Sequence, residues 1–326
     1  MKRFIRSILL FLCCFMLLEI LLLILLPSPR SRSSHEANVR LSAERLQQIS
    51  QPKIVIIGGS GCQFAMRSDL LAEHYQMPVV NTGTHACIGL QLQVNLCRPY
   101  LQQGDIVLLI PEYDQYCVPE LFMGVVDETM LRIMISNYPA GLRYLTAEQW
   151  WHILPSIPKV IVKSLHNREP LETWSPYSVS GINAYGDATN WECRPAVFQE
   201  QPSLNPLLNA PNEEALLFIK DFANECREHA IEWYLLPPAL AQSESDMLQE
   251  YIPKLEEQLQ QKGIPFAIAP KRYFFPDSLF FDTYYHMTLP GATLRTTSLI
   301  CDLDSLRTTS FICDLDSLRL LERAQR

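Results

Sequence analysis

The sequence has no cluster of Lys or Arg beyond its first residues, and its 326 residues carry a formal net charge of −8. Both facts argue against nucleic acid as the main partner, because phosphate backbones are met by basic patches. Its ten Cys include no C-x-x-C pair and no zinc-ligand spacing, so the sequence carries no zinc-site signature. Cys13 and Cys14 do not follow small residues and make no lipoprotein box. The other eight could pair in an oxidising compartment or stay buried free thiols, and the sequence sets no connectivity. No Gly-Lys-Ser/Thr follows the glycines at 58, 59 and 61, so they are not a phosphate loop. Phe64 stands where a dinucleotide fingerprint has its third glycine. No metal or organic cofactor is expected.

What is present begins with an apolar run, Ile8 to Leu26, interrupted only by Glu19. Nineteen helical residues span about 28 Å, close to the hydrocarbon thickness of a bilayer. Lys2, Arg3 and Arg6 precede the run, and Arg30 and Arg32 follow it. No small-x-small cleavage site follows, since the chain continues Pro27-Ser28-Pro29-Arg30. Residues 1–32 therefore read as an uncleaved signal anchor with its N-terminus inside, the rival being a cleaved signal peptide. Either places the rest outside the cytoplasm, at the extracytoplasmic side of a membrane. Glu19 is costly facing lipid, so it is expected to face a partner helix or a water-filled defect.

Apolar residues make up 48% of the chain and charged residues 19%, enough for a sizeable core. Residues 33–50 read as a linker, polar from Ser31 to Asn38, and a short helix from about Leu41 to Ile49. Strands are expected at Lys53–Ile57, Val79–Asn81, Asp105–Ile110, Ile231–Leu236 and Pro265–Ile268. Helices are expected at Phe64–His74, Gly89–Leu101, Asn212–His229 and Glu244–Lys262. This β-α alternation predicts a parallel sheet with helices on both faces, forming one α/β domain over 51–300. Ligands of such sheets gather beyond the C-terminal strand ends, where Ser60, Gly83 and Glu112 fall. Residues from about 115 to 205 are rich in Pro and aromatics, including Trp150, Trp151, Trp174, Tyr177, Tyr185 and Trp191. They read as an insertion capping the sheet, either plain core or a sugar-stacking surface. In the tail, 301–326, part of the last helix is duplicated: Arg295–Leu306 and Arg307–Leu318 match at eleven of twelve positions. The duplication lengthens the tail without adding chemistry, or else it dimerises.

Three short segments could carry chemistry. Ile54-Val-Ile-Ile-Gly-Gly-Ser60-Gly61 reads as a buried strand ending in a glycine-flanked serine. Ser60 could be a nucleophile or only a helix cap. Asp282 and His286 share one loop, where the Asp can hold one imidazole nitrogen and leave the other to accept a serine proton. A structural His on a surface turn would leave the same trace. Asn81-Thr-Gly83 follows the second strand, and a Gly83 N–H could stabilise an oxyanion or simply shape a turn. Glu112 and Asp114 follow the third strand and could orient a base, bind substrate or stay solvated.

Strand-Gly-Gly-Ser60, Asn81-Thr-Gly83 and Asp282…His286 together resemble the SGNH (GDSL-like) hydrolase superfamily. With the N-terminal anchor, the chain looks most like membrane-anchored bacterial members related to the D-alanyl-lipoteichoic-acid biosynthesis protein D. The segment Ile182-Asn183-Ala-Tyr-Gly-Asp187 and the run Tyr285-His286-Met287-Thr288 also look like elements of such proteins. The resemblance implies a flavodoxin-like three-layer α/β/α fold. It implies ester hydrolysis or acyl transfer with Ser60 as nucleophile, His286 as general base and Asp282 as its orienter. Gly83 is implied as an oxyanion donor, and Asn81, Glu112, Asn183 and Asp187 as oxyanion or substrate contacts. The sequence departs from the pattern in three places. Gly59 replaces the Asp of Gly-Asp-Ser, Pro111-Glu112-Tyr113-Asp114 supplies no third-block Asn, and Asp282-x-x-x-His286 is one residue longer than Asp-x-x-His.

Two functions follow as expectations. One is an esterase or O-acyltransferase in the bacterial inner membrane, acting on an acylated envelope glycan or lipid-linked carrier. Its anchor would raise the local concentration of membrane-bound donors. The other is a non-catalytic protein of the same fold that binds a glycan or supports a membrane acyltransferase. A third, plainer reading makes the Gly-Ser turn a structural cap.

Overall fold

A computed structural model describes residues 1–166, 168–194 and 210–324. Fourteen α-helices and six strands are assigned among them. The first half runs α1 (Lys2–Leu25), α2 (Pro29–Arg32), α3 (Asn38–Gln48), β1 (Ile54–Gly58), α4 (Ser60–Phe64), α5 (Ser68–Tyr75), β2 (Val79–Asn81), α6 (Leu90–Cys97) and β3 (Ile106–Ile110). The second runs α7 (Pro119–Met123), α8 (Thr129–Asn137), α9 (Ala147–Ile153), α10 (Ile157–His166), α11 (Glu213–Glu228), β4 (Glu232–Leu235), β5 (Leu240–Ala241), α12 (Gln242–Met247), α13 (Tyr251–Gln261), β6 (Phe274–Phe275) and α14 (Leu289–Ala324).

The main sheet has four parallel strands in the order β2-β1-β3-β4. β1 and β3 are continuous apolar runs and wholly buried, as strands covered on both faces must be. Successive side chains point to opposite faces, so Val55, Ile57, Val107 and Leu109 join one core with Leu90, Val94, Phe222 and Leu255. Ile54, Ile56, Ile106 and Leu108 join another with Leu71, Ala292, Leu299 and Leu303. At the N-terminal end of the sheet, Lys53 Nζ and Asp105 Oδ2 lie 2.9 Å apart, both side chains fully buried. The same carboxylate accepts the N–H groups of Lys53 (3.0 Å) and Gln102 (2.9 Å), so the pair also ties the strand ends together.

α1 is, among the described residues, the one helix long and apolar enough to cross a membrane. Glu19 lines a cavity of about 670 Å³ shared with α8, α9 and α10 residues such as Leu131, Trp150 and Ile157.

Four local expectations are corrected. Phe64–His74 is not one helix: the chain breaks between α4 and α5, where Arg67 N–H binds Thr296 Oγ1 (3.0 Å) and Ser68 N–H binds Asp187 Oδ2 (2.8 Å). Tertiary acceptors there replace helical carbonyls. Glu244–Lys262 divides into α12 and α13, and Pro253, which has no N–H to lose, sits in the first turn of α13. Pro265–Ile268 is not a strand, and among the described residues it makes one backbone hydrogen bond to β4, from Ala267 N–H to Leu235 O (2.9 Å). Ser31–Asn38 is no free linker. His35 N–H binds Tyr177 O (2.7 Å), and Glu36 accepts two bonds of 2.7 Å from Arg132.

The region expected as an insertion contains α7 to α10 and continues into residues outside those described. The first repeat copy packs Arg295, Thr296, Leu299 and Leu303 inward on α14. Most side chains of the second copy lie outside the described residues. The eight Cys whose side chains are described are free thiols.

Asp105→Ala leaves the Lys53 ammonium buried and unpaired, which typically costs about 3–5 kcal/mol. The expected result is a clearly lower urea midpoint for the variant than for the wild type in detergent. An unchanged midpoint would show that the pair contributes nothing.

Candidate active site

β1 ends at Gly58, and Gly59 turns the chain so that Ser60 opens α4. A Cβ at Gly58 would lie 2.4 Å from Ile110 O, so only glycine lets β1 and β3 end this close together. The C-terminal loop brings His286 to the same edge. His286 Nε2 is 2.9 Å from Ser60 Oγ, and His286 Nδ1 is 3.0 Å from Asp282 Oδ1. Asp282 Oδ2 also accepts the Tyr177 hydroxyl, whose oxygen lies 3.2 Å from His286 Nδ1. The arrangement suits a proton on Nδ1, leaving Nε2 to accept from the serine.

The longer Asp282-x-x-x-His286 spacing closes through Thr283. Its hydroxyl accepts the N–H groups of Tyr285 (3.2 Å) and His286 (3.0 Å). That turn points both side chains the same way. The imidazole stacks on Phe64 (4.5 Å between centroids) and packs against Phe281 (5.8 Å), and those two rings contact each other at 6.4 Å. Arg194 backs this stack, its guanidinium 4.7 Å from the Phe64 ring centroid and bonded to Ala188 O (2.8 Å). Sequence reasoning gave Tyr177 no role beyond its place in an aromatic segment and did not single out Arg194. No spacing rule links residues about 100 positions from the loop they hold.

Glu112 belongs to the site. Its Oε1 accepts Gly61 N–H (2.9 Å) and lies 3.4 Å from Ser60 Oγ. Burial raises its pKa, against the opposing effects of Gly61 N–H and His286. Asp114 sits further along the same turn, and burial beside Glu112 and Glu244 pushes its pKa up to about 7.

The other expected site residues build a frame behind the serine. Gly83 N–H donates to Asn81 Oδ1 (2.9 Å), so in this conformation it is engaged rather than open to an oxyanion. Asn81 Nδ2 donates to Cys62 O (2.9 Å) and Asp187 Oδ1 (2.8 Å). Asp187 also accepts from Ser68 Oγ (2.6 Å) and Asn183 Nδ2 (3.2 Å). Asn183 Oδ1 caps the N–H groups of Tyr185, Gly186 and Asp187. These four residues fix the α4–α5 and β2 loops and have no hydrogen bond to Ser60 or His286 among the described residues.

A polar cavity of about 470 Å³ borders the site, with Tyr177, His35, His85 and Arg132 in its lining. His35 Nδ1 meets Gln63 Oε1 (2.9 Å), and burial lowers its pKa to about 4. No group of three or more His, Cys, Asp or Glu that could hold a metal occurs among the described residues. Comparison of the chain with protein-family models, curated proteins and solved structures finds no match in any of the three.

His35 takes up a proton near its ordinary 6.5 when unfolded but only near 4 when folded. Its contribution to stability is therefore complete above about pH 6.5 and is lost as pH falls toward 4, a change of roughly 3 kcal/mol. His35→Gln is expected to flatten the unfolding midpoint across that window. Parallel curves for variant and wild type would remove His35 as the cause.

Proposed function

We propose that this protein is a membrane-anchored serine esterase or O-acyltransferase of SGNH type. In this reading the sheet and its two cores form a flavodoxin-like three-layer α/β/α domain, and the helices after β3 are its insertion. α1 is the anchor in a bacterial inner membrane, with the domain on the extracytoplasmic side. The substrate is an acyl ester of an envelope glycan or lipid-linked carrier. The polar cavity beside Tyr177 suits a hydroxyl-rich acceptor.

The observation that carries the reading is the Ser60–His286–Asp282 chain of contacts, at 2.9 and 3.0 Å. This is within hydrogen-bond reach for an activated nucleophile and its base. His286 Nε2 accepts the Ser60 proton as Oγ bonds to the ester carbonyl carbon. The tetrahedral species collapses, the carbon–alkoxy bond breaks, and His286 returns the proton to the leaving alcohol. Water or an acceptor hydroxyl then releases the acyl group by the same steps in reverse. Asp282 and Tyr177 keep the imidazole oriented throughout.

One observation favours the non-catalytic alternative, a glycan-binding or scaffold partner of a membrane acyltransferase. The N–H groups of Gly61 and Gly83 are both occupied by side-chain oxygens.

A fluorophosphonate probe and acetyl-ester hydrolysis, applied to the full chain in detergent, decide between them. The enzyme reading expects labelling and turnover in the wild type and background levels of both in Ser60→Ala and His286→Ala. A folded wild type that neither labels nor turns over, or turnover that survives Ser60→Ala, would reject it in favour of the partner role.

A further inference from the structure

We propose that Glu112, carrying its proton, is the side-chain donor to the oxyanion formed at Ser60, and that loss of this proton closes the site. The inference rests on Ser60 being the nucleophile. It takes the departures at Gly59 and at the turn after β3 as one coupled change.

The coupling is steric. A Cβ at Gly59 would fall 2.3 Å from Glu112 Oε1 and 2.7 Å from its Cδ. No residue with a side chain fits at 59 while Glu112 holds this position. Glu112 enters from the end of β3, and its carboxyl reaches the serine hydroxyl from a different element than His286 does. Among the described residues, Glu112 and His286 are the two side chains within hydrogen-bond distance of Ser60 Oγ. Gly83 N–H is committed to Asn81. The developing negative charge therefore has Glu112 as its nearest side-chain partner besides the base.

An ionised carboxylate there would repel an oxyanion and retain Gly61 N–H. A neutral carboxyl can donate its O–H instead, and a carboxylic acid held neutral by an apolar site is an effective oxyanion donor. The surroundings favour the neutral form. Glu112 is 6% exposed, and no Lys or Arg pairs with it among the described residues. The titratable groups around it are His286, Tyr284 and Tyr285 of the C-terminal loop, Cys62 of α4, Cys87 of the turn after β2, and Asp114 on its own turn. Glu244 acts on it indirectly, through Asp114. Of these, protonated His286 alone would favour a charge on Glu112, and the base must be neutral to accept the serine proton. Acylation then runs with Glu112 unchanged overall. The Oγ–carbon bond forms, the serine proton passes to His286, the O–H of Glu112 bonds to the oxyanion, and that proton stays on Glu112 at collapse.

The test uses the full chain in detergent, with acetyl-ester hydrolysis measured across pH. For the wild type, kcat/KM should fall as Glu112 loses its proton. Glu112→Gln keeps a donor without a titrating proton. It is expected to retain activity within about 10-fold and to lose the alkaline fall, while Glu112→Ala loses about 100- to 1000-fold. The infrared carbonyl band of a protonated buried carboxyl should persist in the wild type above the pH at which exposed carboxyls ionise and be missing in Glu112→Gln, a readout that needs no turnover. The proposal is overturned if Glu112→Gln or Glu112→Ala exceeds wild-type activity, if the alkaline fall persists in Glu112→Gln, or if the band is absent. A band present in a wild type that neither labels nor turns over rejects the hydrolase reading, and the donor role with it. If Glu112→Ala fails to fold, the glutamine variant and the infrared band decide.

Discussion

The site depends on the parallel pairing of β1 with β3, in register from Ile54 against Ile106 to Gly58 against Ile110. Parallel strands end at the same edge, so the chain leaves both at one level. Ser60 follows β1 and Glu112 follows β3, which brings a hydroxyl and a carboxyl together across 52 residues of sequence. The glycine at 58 permits this, because any side chain there would strike the Ile110 carbonyl. The buried Lys53–Asp105 pair fixes the opposite end of the same two strands. The register is thus held at both ends, polar at one and close-packed at the other.

The second component is a loop that owes its shape to packing rather than to regular structure. Residues 282–286 are turned by the Thr283 hydroxyl, and the imidazole packs in one cluster with two aromatic rings. Phe64 does double service, ending α4 and stacking on His286. Tyr177 and Arg194 come from the segment after α10, and both bear on this cluster. The serine, its partner imidazole and the supports of that imidazole therefore come from four separate stretches of chain. A change in any of them alters the geometry at Ser60.

The frame behind the serine shows how polar residues can be conspicuous in a sequence without facing a ligand. Asn81 and the partly buried Asn183 each bond to the buried Asp187, and the three satisfy backbone N–H groups of turns that have no helical or sheet partners. Short polar motifs at strand ends arise from this need as readily as from chemistry. Glu112 is the converse case. Its position allowed a solvated carboxylate, a base-orienting group or a substrate contact alike, and it lies buried against Ser60 and Gly61.

The sequence alone determined the α/β class, the strands β1, β2 and β3 to within a residue, the apolar N-terminal helix and the closeness of Asp282 to His286 on one loop. Each rests on local information: unbroken apolar runs, glycine punctuation and pairs of residues close together in the chain. Only the tertiary structure decided the break between α4 and α5, the failure of Pro265–Ile268 to form a strand and the packing of Ser31–Asn38 into the domain. It alone set His286 against Ser60, engaged Gly83 with Asn81, joined Tyr177 and Arg194 to the site and set Glu112 against Ser60 and Gly61. Each of these turns on a hydrogen bond or ring contact between residues far apart in the chain. Periodicity and spacing carry no record of such partners, because the energy that selects them exists only once the elements have packed.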